Sequence, residues 1–215
     1  MSALTTDRQL ARYYQYALWL GVFTVVYNLG EGLVSIAFGA HDQALTLFGF
    51  GVDSFIEVIS GLGIVAMILR MQHHPDAPRS PFEQTALRIT GIGLYVLGAG
   101  LLATAIYNVV TAHKPETALS GILVSLVSIV AMYALAYFKT QVGQRLASAP
   151  ILADAACTKV CLYMSLILLA SSAVYQLTGI GYVDSLGALG LIYFAVQEGR
   201  EALEKARGVE VCCDD

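Results

Sequence analysis

Six long apolar runs dominate this chain, near residues 16–38, 44–69, 86–110, 117–138, 150–177 and 182–196. Each approaches the length needed to cross a hydrocarbon core of ~30 Å, about 20 residues at helical rise. The intervals hold breakers and charges: Gly39-Ala40-His41-Asp42, the proline-bearing stretch Arg70–Glu83, His113-Lys114-Pro115 and Lys139–Ala149. Alternation at barrel spacing is absent, so only helices can satisfy the backbone in lipid. Composition agrees: 57% of the 215 residues are hydrophobic and 13% are charged, too few charges to cover a soluble particle holding that much apolar side chain. A disordered tail, a secreted disulfide scaffold and a nucleic-acid binder are excluded, and the net charge of −4 argues separately against a polyanion partner. The fold class is all-α, a polytopic membrane protein of six transmembrane helices.

The first run passes Glu31 without a small-residue cleavage site and reads as a retained span. Ten of the twelve Lys and Arg fall on one side of the layer: Arg8, Arg12, Arg70, Arg79, Arg88, Lys139, Arg145, Arg200, Lys205 and Arg207. Lys114 lies on the other side, and Lys159 lies inside a span. The excess places both termini in the cytoplasm. The expected organisation is an N-terminal cytoplasmic segment (1–15), a six-helix membrane domain (16–198) and a cytoplasmic tail (199–215); the residues after the sixth run, Gln197–Asp215, include a short helical stretch, Glu198–Arg207. Recurrent glycines within the spans read as close helix packing.

Ionisable groups at membrane depth are costly, and each is a functional candidate. Those here are Glu31, Asp53, Glu57, Asp154, Lys159 and Asp184. Asp53 and Glu57 stand four residues apart in the second run and project from one helix face. Like charges this close in a low dielectric repel, so a proton or a cation must offset them. In the fifth run Cys157 and Cys161 share the same spacing, and Asp154 sits one turn from Cys157. An isolated thiol pair of this kind is more often buried packing than ligation. Depth strengthens the pair's claim. At ~1.5 Å per residue the acids lie about 14–20 Å from one surface and the thiols about 10–17 Å from the other. Both pairs reach the middle of the bilayer. If the two helices adjoin, two carboxylates and two thiolates suit a tetrahedral, borderline-to-soft divalent cation such as zinc.

Around these residues the chain resembles the cation diffusion facilitator family of metal/proton antiporters. Asp53-Ser54-Phe55-Ile56-Glu57 is similar to the acidic pair of that family's second helix, with Glu in place of the second Asp. Asp154 through Cys161 resembles its fifth-helix motif, with Cys157 where the family has His or Asp and Cys161 where it has Asp. Asp184-Ser185 is similar to the start of its sixth helix, and Asn28-Leu29-Gly30-Glu31 to its first. The resemblance spans roughly residues 15–205 and implies a six-helix bundle with the second and fifth helices in contact. Its metal ligands would be Asp53, Glu57, Cys157 and Cys161, with Asp154 a possible addition. It further implies a carrier, not an enzyme, with no permanently bound cofactor. Its substrate is a divalent metal ion, zinc or cadmium first, exchanged for protons. The family's C-terminal metal-binding domain has no counterpart in the sequence, which resembles the truncated branch and assigns homodimerisation to the membrane helices. The expected location is a bacterial inner membrane.

Several residues stay open. Lys159 is expected to pair with Asp154, Asp184 or Glu31, or to reach the cytoplasmic interface. Asp184 is expected to cap its own helix. Glu31 and Asn28 share a helix stripe and fit either a site-supporting or proton-path role or a plain interhelical hydrogen bond. Cys212 and Cys213 fit soft-metal capture or an inert end, and His73, His74 and Asp76 give a weak metal signal. Two other functions compete: a membrane thiol oxidoreductase using the four cysteines, and a metal-binding scaffold that does not transport. Thiols one helical turn apart do not readily take disulfide geometry, which counts against the first.

Overall fold

A computed structural model describes residues 2–73, 80–111 and 118–208. These form six helices: α1 (Ser2–His41), α2 (Leu45–His73), α3 (Pro81–Thr111), α4 (Leu119–Leu146), α5 (Ala149–Thr178) and α6 (Tyr182–Ala206). Five segments are long and apolar enough to cross a membrane: Leu10–His41, Leu45–Gln72, Pro81–Thr111, Leu119–Leu146 and Pro150–Thr178. The sixth expected span is also a helix, but Glu198, Arg200, Glu201, Glu204 and Lys205 in its last third keep it out of that group. Their presence is tolerated because α6 lies along α3 and meets α5 and α2. Its buried stripe of Gly187, Ala188, Leu191, Ala195, Gly199, Ala202 and Ala206 runs unbroken to the end. A Cβ on Gly199 would come within 3.1 Å of the Gly91 carbonyl oxygen on α3, so these two backbones need glycine to approach. The stretch expected as a separate helix in the tail is therefore the continuation of α6.

The helices pack as three close pairs, α1 with α2, α3 with α6 and α4 with α5, and α2 briefly touches α5 between them. Successive helices alternate in direction, which puts the start of α1 and the end of α6 on one face, here the terminal face. Trp19, Val26, Val96, Val110 and Val130 turn outward and are exposed, as lipid-facing side chains should be. Leu47, Phe50, Leu101, Leu168 and Leu191 close a core near the opposite, far face. A smaller cluster of Ala17, Met67, Ile68, Met71, Val142 and Ile151 lies toward the terminal face. There Arg70 at the end of α2 pairs with Glu83 at the start of α3, Nε to Oε1 2.8 Å.

Two expectations need correction. The connection between the fourth and fifth spans is Ala147-Ser148, not Lys139–Ala149. Ala147 takes a left-handed conformation (φ 48°) that returns its N–H to the carbonyls of Gly143 and Gln144. Pro150 then opens α5. Lys139 thus belongs to α4, where it is 3% exposed, and leaves the interfacial charge count. Gly143 lets α4 approach α5: an added Cβ would meet the Leu152 side chain at 2.8 Å and its backbone nitrogen at 3.2 Å.

Asp184 does cap a helix, but the helix is α2. Its Oδ2 accepts the Leu45 N–H (2.8 Å) and its Oδ1 the Thr46 N–H (3.2 Å). Thr46 Oγ1 in turn donates to the Asp184 carbonyl (2.6 Å). The N-cap position of α6 is Gly181, which offers no side chain. The unpaired N–H groups at the buried start of α2 have no water to turn to and so take the carboxylate. Ser120 of α4 donates to Asp42 at the end of α1, adding a second tie at the far face.

Candidate metal centre

Because α2 runs from the far face and α5 from the terminal face, their polar residues meet partway across. Cys161 Sγ donates to Glu57 Oε1, joining the two helices directly. Asp53, Glu57, Cys157 and Cys161 all line one cavity of about 60 Å³, room for a few water molecules. From Met132, Met164 and Asp53 its wall runs toward the terminal face through Ser60 and Gly61 of α2, Lys139 of α4, Asp154 of α5 and Glu198 of α6. Both cysteines are free thiols. Asp53 is 4% exposed and receives no hydrogen bond from a described residue. Among the described residues no three His, Cys, Asp or Glu side chains close around one point as a metal cluster would. The four donors ring the cavity instead.

The first helix supports this ring. Asn28 Nδ2 donates to Glu57 Oε2 at 2.7 Å. Glu31 accepts from Tyr27 (2.8 Å) within α1 and from Ser54 (3.2 Å) on α2. Both open residues of α1 thus make interhelical hydrogen bonds, and Asn28 makes its bond to a candidate ligand. Lys159 takes none of its expected partners and is exposed. Asp154 pairs instead with Lys139, whose Nζ lies 3.1 Å from Oδ1 and 3.0 Å from Oδ2 and also donates to Thr158 Oγ1 at 3.0 Å. Lys139 wins because it is already buried opposite α5 and would otherwise be an uncompensated charge.

The cation beside the thiols comes from α6. Lys205 Nζ is 3.5 Å from Cys157 Sγ and 3.4 Å from Glu201 Oε2. Glu198, one turn before Glu201, faces Cys157 and Asp53 across the cavity. Sequence reasoning missed Glu198 and Lys139 as wall residues and Lys205 as a neighbour of Cys157. The signal was periodic: Ala188, Leu191 and Ala195 continue to Glu198 and Ala202, and Met132, Leu135 and Ala136 continue to Lys139, Val142 and Gly143. Residues 74, 76, 212 and 213, which include the expected His74, Asp76, Cys212 and Cys213, lie outside the described residues, as does the side chain of His73.

Residues 22–208, a stretch that holds nearly all of this bundle and every cavity residue above, match the family model described as the cation efflux transmembrane domain. The chain belongs to the cation efflux family. Members of this family carry metal cations across membranes, and this chain is a multi-pass membrane protein of that kind. Within the cation efflux bundle seen here, the buried polar groups gather where α2 meets α5, with α1 and α6 contributing from either side.

Proposed function

We propose that this chain exports a divalent transition-metal cation, zinc or cadmium, in exchange for protons, using Asp53, Glu57, Cys157 and Cys161 as ligands. The observation that carries the reading is the Cys161–Glu57 hydrogen bond at a cavity that several ionisable side chains line, which sets a soft donor and a hard donor against each other between two helices. Two carboxylates with two thiolates match a borderline-to-soft dication in tetrahedral coordination. Asp154, held by both oxygens against Lys139, forms a neutral pair at the cavity wall, and Glu198 adds a carboxylate on the path from the terminal face.

Proton exchange follows from the same chemistry. The hydrogen that Cys161 donates to Glu57 has to leave before the thiolate can bind metal, so loading releases protons and affinity falls as pH falls. With the terminal face in the cytoplasm, as the Lys/Arg excess favours, a near-neutral interior loads the site. After the far half opens, protons from outside reclaim the carboxylates and expel the ion. Rocking of helix pairs around the fixed ring would alternate the access. The membrane is the bacterial cell membrane in this reading, and two copies associate through their membrane helices.

Reconstituted liposomes test the proposal. Wild-type protein is expected to move protons when zinc or cadmium is added, and Asp53→Ala or Cys157→Ala to lose that flux. Unchanged flux in either variant overturns the ligand assignment. Tight metal binding without flux in the wild type would make the protein a metal-binding scaffold.

A further inference from the structure

Asn28 is 1% exposed on α1 and lines the cavity. Its amide nitrogen donates to Glu57 Oε2 at 2.7 Å, the arrangement an ionised Glu57 requires. Oδ1 therefore points the other way. It has no hydrogen-bond partner among the described residues. Buried carbonyl oxygens of this kind are nearly always satisfied. A second buried oxygen, Thr90 Oγ1 on α3, also lines the cavity without a partner. The two partnerless oxygens thus stand on α1 and α3, and the thiols stand on α5.

We propose that Asn28 Oδ1 is a neutral oxygen ligand for the transported dication and biases the site toward the harder of the metals it can hold. The proposal rests on the transport site described above and extends it to a third helix. An amide oxygen favours zinc over cadmium relative to a thiolate. Unlike the carboxylates and thiols, it loses no proton on binding, so it adds affinity without adding to the proton exchange. One residue would then do two things: its nitrogen aims Glu57, and its oxygen meets the ion.

Two variants separate those roles. Asn28→Ala and Asn28→Asp both remove the N–H that aims Glu57, but only Asn28→Asp keeps an oxygen in place. Calorimetric titration of the purified full-length chain with zinc chloride and with cadmium chloride reads the preference. Asn28→Ala is expected to weaken zinc about tenfold more than cadmium, and Asn28→Asp to shift the ratio toward zinc, since an oxygen ligand favours the harder ion. Equal shifts in the two variants, or a ratio in Asn28→Ala within about twofold of wild type, would assign Asn28 a purely positioning role and overturn the proposal. If Asn28→Ala does not fold, Asn28→Asp decides alone: a ratio that stays put or moves toward cadmium overturns it. A wild-type chain that binds neither ion removes the transport site itself, whereas a binding and transporting wild type with matched variants removes only Asn28.

Discussion

Toward the far face, Leu47 and Phe50 of α2 close against Leu101 of α3, Leu168 of α5 and Leu191 of α6, and Asp184 seals the start of α2. Toward the terminal face the same helices turn Asp53, Glu57, Cys157, Cys161 and Glu198 onto a cavity, with the Lys139–Asp154 pair at its wall. One half is held by close packing of apolar side chains, the other by polar contacts over space that water can fill. A helix that is closely packed at one end and loosely packed at the other can pivot about the packed end, and this is the asymmetry a carrier needs if one side is to be shut while the other is wet. The contrast also says where damage should be felt: packing changes at the far half should cost stability and spare binding, breaking the ion pair at the cavity wall should cost stability, and changes to the acids and thiols that face the cavity should cost binding.

Three substitutions put that contrast at risk. The largest effect on stability is expected from Lys139→Ala, which leaves Asp154 facing the cavity alone and should cost about 3–5 kcal/mol if the wall is dry. Thermal unfolding in detergent measures it, and the double change Lys139→Met with Asp154→Leu should recover most of the loss. A cost near zero in the single variant would mean that water already reaches Asp154 and would widen the difference between the halves. Next is Leu168→Ala, which is fully buried in the far core and should cost about 2–4 kcal/mol through the cavity it leaves. Its zinc affinity should stay as in wild type; a large change in affinity would show that the two halves are not separable. Arg200→Ala comes last, because its pairing with Glu204 is exposed on α6 and such pairs contribute little. Its unfolding temperature should not move.

The membrane class and the helices were legible because hydropathy and helical period are local properties. So were the acid and thiol pairs, whose spacing of four places each on one face whatever the surroundings. The meeting of α2 with α5 was not local, and only the family resemblance supplied it. Lys139 and Glu198 were read as lying in water because an apolar run was taken to stop at the first charge. Whether a charge is buried depends on its partner, and the partner of Lys139 is fifteen residues on, across a turn. Asp184 shows the same limit differently. Its capping chemistry was legible, but the N–H groups it caps lie 138 and 139 residues earlier, beyond any local pattern.

The two-residue turn between α4 and α5, with Gly143 seated against Leu152 and Lys139 clamped to Asp154, has a mechanical consequence. Neither rod can slide or rotate without its neighbour. Any stroke that moves α5 must therefore haul α4 along as ballast, so the moving part is a hairpin, and it slides against α1 and α6 as well as across its narrow seam with α2.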